Sequence, residues 1–492
     1  MSLAHKTAGS LAWVTIASAG ARFLTIGSTF ALTRFLQPEV QGEVNLAFVL
    51  VSTLGMATGL GASQFVAAHP RESRATVFHG SVLVLAAGLV ACGASVACAG
   101  TVGRLLHVPG MTPYVPGLAL AHYLDRCGWV PRSLLVREMR FRTLGLRVAA
   151  GELSFAVSSV ALAALGFGGS SIVAGNIVRS GVGLAFVLAV TSARDHLTPS
   201  RLEAATFRRI LAFGLPITIS QFLRMGATTW DNSLMGSRFG SAIVGVYNQA
   251  YRLAELPATA FADPSNDVLV PTFARVSDRA TRRVAFLRAT ALLTLMIAPM
   301  SAGLAVVASS LVGVFYPPAY RGVAPFVTAL AILGLARSLL GLSNALLQVT
   351  GRTKSFITID AGLVISVLGG IWALSRWGAV PAACGVGIGF VTSIALTLRA
   401  LRPEGISGAD MLGATLRPLA AAAPMVLAVL AARRGLDETH LRAGTRLAAE
   451  ILVGAAIYTI AVSALAPDLV RDLRRLATSI IRRPAPTRAP PS

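Results

Sequence analysis

The sequence predicts an all-α integral membrane protein of about fourteen transmembrane helices: two six-helix lobes, related by a pseudo-two-fold axis along the membrane normal, plus two C-terminal helices. Three observations predict it. The 492 residues are 54% hydrophobic and only 13% charged, against about 25% charged in ordinary soluble chains. Apolar stretches of roughly 20 residues, enough to cross about 30 Å of hydrocarbon, follow one another with short charged linkers between them. A sequence pattern near the second stretch also returns six stretches later.

The spans fall at about residues 9–32, 43–67, 76–99, 111–133, 144–166, 169–191, 209–230, 241–262, 285–309, 322–348, 355–375, 378–399, 412–431 and 446–466. The last three are the least sharply marked, because 385–390 and 412–431 are rich in small residues. The division this implies is a first lobe over 1–200, a second over 201–405, two further helices over 406–466 and a tail over 467–492.

The net charge of +22 would suggest nucleic acid in a soluble protein. Here its distribution sets topology instead, because positively charged loops stay cytoplasmic. With the N-terminus inside, the inner linkers and tail hold 27 of the 43 Lys and Arg residues and the outer linkers 9. Both termini are therefore expected in the cytoplasm. Arg433, Arg434, Arg442 and Arg446, between the last two spans, run against the bias. The first apolar segment contains Arg22 and lacks a cleavage signature, so no cleaved signal peptide is expected. From Pro467 to Arg483 leucines and arginines alternate as in a basic amphipathic helix lying on an anionic membrane surface. Pro484–Ser492 reads as a proline-rich, disordered end.

Several chemistries are excluded. The only lysines, Lys6 and Lys354, follow His5 and Thr353, so no Gly-Lys-Ser/Thr phosphate loop exists. Linkers of about 20 residues around 192–208 and 263–284 cannot hold a catalytic domain. No His-Glu-x-x-His pair occurs, and Cys92, Cys98, Cys127 and Cys384 all lie within spans, so neither a metal site nor a disulfide framework is expected. No cofactor, catalytic residue or nucleic-acid partner is predicted.

The repeat aligns Arg34-Phe35, Val40, Gly42, Asn45 and Ala47 with Arg238-Phe239, Val244, Gly245, Asn248 and Ala250. A separation of six spans preserves orientation, which makes it a parallel repeat. Span 1 carries Thr15, Ser18, Arg22, Thr25, Thr29 and Thr33 on one helical face, and span 7 carries Thr218, Gln221, Arg224, Thr228 and Asp231. Span 8 adds Asn248, Arg252, Glu255 and Thr259; span 10 adds Arg337, Gly341, Asn344 and Gln348. Such stripes also serve helix packing alone. A mid-membrane arginine, however, costs at least ~2.5–3.5 kcal/mol and normally faces a wet cavity or a partner. Arg22 and Arg224 are thus candidate anion-binding residues, phosphate being the natural match for a guanidinium. Arg126, Arg179 and Arg337 are weaker candidates, Arg126 being close enough to Arg132 to snorkel to the inner surface. Asp125, Glu152 and Asp231 are candidate ion-coupling carboxylates, with salt bridging as the competing role. Pro216, Pro257, Pro299 and Pro325 give helices places to bend.

Three stretches carry a family resemblance: Phe30 through Glu39 to Gly42, then Leu60-Gly61-Ala62-Ser63-Gln64, and Gln348-Val349-Thr350-Gly351-Arg352-Thr353-Lys354. On these, from Ala12 to about Ala466, the chain resembles the polysaccharide transporter branch of the multidrug/oligosaccharidyl-lipid/polysaccharide exporter superfamily, the Wzx-type flippases. The resemblance implies a two-lobed V whose cationic lumen is lined by helices 1, 2, 7 and 8, here Arg22, Asn45, Arg224, Asn248 and Arg252. Arg22 and Arg224 are two residues out of strict register. It further implies flipping of an undecaprenyl-pyrophosphate-linked oligosaccharide across a bacterial inner membrane, with membrane lipids, a polysaccharide polymerase and export proteins as partners. The competing functions are a multidrug or cation antiporter, which would have twelve spans and an acidic lumen, and a membrane glycosyltransferase or polymerase, which would need a large outer loop.

Overall fold

The computed structural model describes residue 20 and residues 24–481 apart from 70–71, 263–268, 270–271, 277, 353 and 438–440. Among the described residues all regular structure is helical. The helices are α1 (24–35), α2 (Pro38–Ala57), α3 (Ala62–Ala68), α4 (Arg74–Leu105), α5 (Val115–Cys127), α6 (Trp129–Arg137), α7 (Phe141–Ala164), α8 (Ser170–Val190), α9 (Ala204–Phe239), α10 (Ser241–Pro257), α11 (Arg279–Phe315), α12 (Val323–Leu330), α13 (Ile332–Val349), α14 (Lys354–Leu374), α15 (Ala379–Leu401), α16 (Gly408–Asp437), α17 (Ala443–Leu465) and α18 (Pro467–Ile481).

Ten of these are long and apolar enough to cross a membrane, and α9, bent by 43° near 226–228, makes eleven. The other three expected spans fall where that test is physically weakest. Helix α1 is described only from residue 24, α5 and α6 are separated at Gly128, and α10 carries Asn248, Arg252 and Glu255. Large apolar side chains such as Leu89, Ile365, Leu427, Leu452 and Ile460 point outward. Ser95, Ser159, Thr290 and Thr294 are buried and return their hydroxyl protons to carbonyls four residues back. An apolar exterior over a small-residue interior is the arrangement lipid favours.

The chain forms two compact units, one of Met1–Tyr251, Phe315–Phe326 and Phe356–Thr392, the other of Arg252–Val314, Val327–Ser355 and Ser393–Ser492. In the first, α7 packs along α8, α5 against α4 and α8, and α2 against α4, α5 and α9. Glycines set the closest approaches. A Cβ on Gly175 would lie 2.8 Å from the Ser159 Cβ, and one on Gly385 would lie 2.3 Å from the Ile371 backbone nitrogen. The small residues that blur span 12 in the sequence therefore seat α15 against α14.

In the second unit, α11, α16, α17 and α18 share a core of Ala291, Leu295, Ala421, Met425, Tyr458, Val462 and Leu469. The tail helix α18 is docked rather than free on a surface: Leu469 enters that core, Arg288 binds Asp472 at 2.5 Å and Arg417 binds Asp468 at 3.8 Å. Residues 482–492, which include the end expected to be disordered from Pro484, lie outside the described residues.

Helix breaks follow the repeat. Gly42 and Gly245 are 203 residues apart, and so are the interruptions at Gly128 (α5/α6) and Ala331 (α12/α13). Helix α2 ends in the turn 58–61, where Leu60 and Gly61 take φ of 54° and 63°. In the matching stretch α10 ends at Pro257 and continues as a π-turn over Ala258–Ala262. Paired interruptions in corresponding spans of two halves point to where a transporter binds its cargo.

Candidate functional site

The break after α2 is held by a guanidinium. Arg126 is 1% exposed, donates from Nη1 to the Thr58 carbonyl at 3.3 Å and from Nη2 to the Gly55 carbonyl, and stacks on Trp129 with Cζ 4.8 Å from the ring centre. These carbonyls form the negative end of the α2 dipole, which a cation stabilises. The expectation that Arg126 snorkels to the surface is thereby corrected: carbonyls freed by the broken helix give it a closer partner.

Beside this break lies a cavity of about 610 Å³ between α2, α3, α6 and α9, so that both halves of the repeat contribute walls within the first unit. Arg132 and Arg224 line it together with Trp129, Gln64, Gln221 and Thr228. The Gln64 amide donates to the Gln221 carbonyl oxygen at 3.5 Å, joining α3 to α9. Nη2 of Arg224 lies 3.4 Å from Asp360 Oδ2 on α14, and Nη2 of Arg132 lies 3.2 Å from Asp125 Oδ2. No carboxylate lines this cavity among the described residues. Two guanidiniums, two amides, the hydroxyls of Ser63, Ser133 and Thr228, and an indole suit an anionic headgroup with a hydroxyl-rich moiety attached.

A second cavity of about 340 Å³ lies inside the N-terminal half, lined by His122, Asp125, Arg147, Glu152, Asn176 and Arg179. Asp125 accepts from Arg147 Nη2 at 2.8 Å and from the Trp129 indole at 3.0 Å, besides Arg132. Glu152 accepts from Arg179 at 3.3 Å and from the Thr25 hydroxyl at 2.9 Å. Both carboxylates are thus salt-bridged across a polar cavity.

The sequence-predicted residues separate accordingly. Arg224 lies on the larger cavity; Asp125 and Glu152 lie on the smaller. Arg22 is outside the described residues. Asn45 is half-buried on α2, its Oδ1 buried without a hydrogen-bond partner, and Asn248 is half-buried on α10. Asp231 is fully buried and enclosed by its own neighbours, accepting from Tyr247 Oη at 2.6 Å and from the Asn232 backbone and side chain at 2.8 and 3.1 Å. Arg252 and Arg337 belong to the second unit, where Arg337 is paired with Glu255. Sequence reasoning missed Arg132, Trp129 and Asp360 as site residues. Arg132 was counted as a linker charge, whereas Asp360 carried a usable signal, being a lone carboxylate in an apolar span.

The sequence signature of a family described as polysaccharide biosynthesis protein matches residues 31–325. The chain is 26% identical over 497 residues to the succinoglycan biosynthesis transport protein ExoT of Rhizobium meliloti (strain 1021), covering 98% of this chain and 97% of that one. It is 22% identical over 392 residues to the lipopolysaccharide biosynthesis protein WzxC of Escherichia coli (strain K12), covering 80% and 79%. Among solved structures, the lipid II flippase MurJ in an inward closed conformation superposes with a TM-score of 0.74 at 14% identity, over 93% of this chain and 99% of that one. An inward-facing multidrug transporter of the MATE family gives 0.62 at 18% identity, over 78% and 94%. At these identities the structural likeness establishes the fold.

Proposed function

The chain belongs to the polysaccharide biosynthesis protein family, and from that premise we propose that it flips an undecaprenyl-pyrophosphate-linked oligosaccharide from the cytoplasmic to the periplasmic leaflet of a bacterial inner membrane, by alternating access through the cavity of Arg132 and Arg224. It is a membrane transporter of polysaccharide biosynthesis and not an enzyme. The observation that carries the reading is a cavity with arginines from both halves of the repeat and no carboxylate in its described wall. That wall disfavours the drug or cation antiporter, whose lumen would present acidic groups to its cargo.

The proposal has the pyrophosphate between Arg132 and Arg224, with sugar hydroxyls on Gln64, Gln221 and Thr228. Arg22, Asn45, Asn248, Arg252 and Arg337 serve as further lining groups along the path, and Asp125, Glu152 and Asp231 as the groups through which an ion is coupled. It includes fourteen spans, lobes over 1–200 and 201–405, helices over 406–466, a cytoplasmic tail over 467–492, both termini in the cytoplasm, and hand-over to a polymerase and export proteins. Arg132→Ala and Arg224→Ala should each sharply reduce surface polysaccharide while the protein still reaches the membrane, because a charge-assisted hydrogen bond in such a site is worth roughly 1.5–3 kcal/mol. Lipid-linked intermediate should accumulate on the cytoplasmic leaflet. Normal export in both alanine variants would sink the proposal.

A further inference from the structure

Both arginines on the larger cavity are held from behind by carboxylates that do not themselves line it. Asp125 holds Arg132 from the side of the smaller cavity, and Asp360, 6% exposed, holds Arg224. Each cavity-lining guanidinium thus already has a carboxylate partner, although the surroundings, which include Arg126 and Arg147, carry net positive charge. An incoming anion competes with these carboxylates for the two guanidiniums, and a diphosphate, with more charge and more acceptor oxygens than a monophosphate, is better placed to engage both at once.

We propose that Asp125 and Asp360 are specificity-determining positioning residues, which make the cavity favour a diphosphate over a monophosphate by competing with the ligand for both guanidiniums at once. This rests on reading the cavity as the headgroup site. The two carboxylates are not equivalent. When Arg132 turns to the ligand, Asp125 keeps Arg147 at 2.8 Å and the Trp129 indole at 3.0 Å. Asp360 has no such reserve: its Oδ2 is buried and accepts no hydrogen bond among the described residues, so the Arg224 guanidinium at 3.4 Å is its compensation. A buried carboxylate stripped of its counter-ion is costly. Asp360 thus sets the higher threshold and Asp125 the lower. The arrangement also explains why an aspartate stands in the apolar run Phe356–Leu363, where packing alone would not call for one.

The test titrates farnesyl diphosphate and farnesyl monophosphate into the purified full-length protein in detergent, by calorimetry, and reads the ratio of the two affinities. A variant that is merely less stable weakens both ligands together and leaves that ratio alone. The unaltered protein should prefer the diphosphate by about tenfold or more, the equivalent of one charge-assisted contact. Asp360→Asn should let the monophosphate in and shrink the ratio by about tenfold, and Asp125→Asn should shrink it by about threefold, since its arginine is held less exclusively. Asp360→Glu, which keeps the charge, should preserve the ratio, and Asp360→Ser is a second neutral variant should the amide not yield folded protein. An unchanged ratio in the neutral variants, with diphosphate binding still lost in Arg132→Ala and Arg224→Ala, overturns the inference and leaves the headgroup reading standing. Diphosphate binding that survives both arginine substitutions overturns the headgroup reading and the inference with it.

Discussion

Gly42 on α2 and Gly245 on α10 each face the backbone that precedes the other by one helical turn. A Cβ on Gly42 would lie 1.8 Å from the Ser241 carbonyl oxygen, and a Cβ on Gly245 would lie 1.9 Å from the Pro38 carbonyl oxygen. The contact is reciprocal between repeat-related residues, as a local two-fold axis through the crossing requires. Beside it the Gln249 amide donates to the Gln41 side-chain oxygen at 2.5 Å, and Tyr320 Oη donates to the Leu36 carbonyl at 2.8 Å. Past the far end of α2, Gly61 and Gly214 approach as closely, a Cβ on Gly214 falling 2.0 Å from the Leu60 carbonyl oxygen. The first unit is thus pinched by glycines at two levels, with the cavity of Arg132 and Arg224 beside the break that holds the second.

Alanine at Gly42 or Gly245 should therefore damage the protein although alanine is the better helix former. The methyl group has to displace backbone, an overpacking cost of about 1–3 kcal/mol, which outweighs the roughly 0.5–1 kcal/mol that Gly→Ala normally returns within a helix. Gly93 and Gly100 on α4 are the contrast, since a Cβ there meets nothing within 4 Å. Thermal unfolding in detergent should show Gly42→Ala and Gly245→Ala below the unaltered protein and Gly93→Ala at or above it. Equal Tm values for all four proteins would mean that the crossing does not constrain the fold.

Glu450 should matter more to stability than any exposed charge. It is 2% exposed on α17, accepts from Arg433 Nε at 3.0 Å and Nη2 at 3.2 Å, and from the Ser310 hydroxyl at 2.9 Å, tying α16, α17 and α11 together. Removing one partner of a buried ion pair costs about 3–5 kcal/mol because the other charge stays buried. Glu450→Ala should accordingly lower Tm steeply and reduce the amount of membrane-inserted protein, and Glu450→Gln should do so less, since the amide still accepts from Ser310. The pairing also bears on the charge pattern: Arg433, one of the four arginines that run against the topology bias, is neutralised within the fold.

How much was legible depended on the range of the interaction. Ten of the spans, eleven with the bent α9, follow from local hydropathy, as the repeat offset and the polar face of Arg224 do from spacing, and the structure places Gly42 and Gly245 together as the alignment paired them. The break at Ala331 did not show, because hydropathy runs across it without a dip and an interruption inside an apolar run is decided by what packs beside it; at Gly128 the polar run from His122 to Arg126 marks a dip that the single span over 111–133 read through. Arg132 read as one more linker charge, since its place on the cavity depends on α6 meeting α3, a contact between residues some seventy positions apart. Asp125 and Glu152 could be recognised as unusual, but their salt bridges to Arg147 and Arg179 need the helices to be docked first.

Topology gives an independent check. Reporter fusions at Ser200 and Arg279 should read cytoplasmic and those at Gly110 and Pro318 periplasmic, since the excess of arginine in alternate linkers sets orientation. A fusion between Arg433 and Arg442 should read periplasmic despite its arginines. A cytoplasmic signal there would remove one of the last two expected spans and the count of fourteen with it.

The accessibility of Thr228 tests whether the cavity is wet in the membrane. Thr228 lines it, half-buried, one turn beyond Arg224, whereas Met235 further along α9 is fully buried. In a background with Cys92, Cys98, Cys127 and Cys384 replaced, a cysteine at 228 should react with a water-soluble thiol reagent in intact membranes, and one at 235 should not. A bound diphosphate lipid should slow the reaction at 228, because a headgroup held by Arg132 and Arg224 fills the space the reagent must enter. Labelling at 228 that is no faster than at 235 would show a dry helix interface, and a polar stripe built for packing would then explain Thr228 without any cargo. Labelling that is fast but insensitive to the diphosphate would leave the cavity wet and place the headgroup elsewhere on the path. The two measurements together separate a water-filled space from a binding site, which the arginines alone do not.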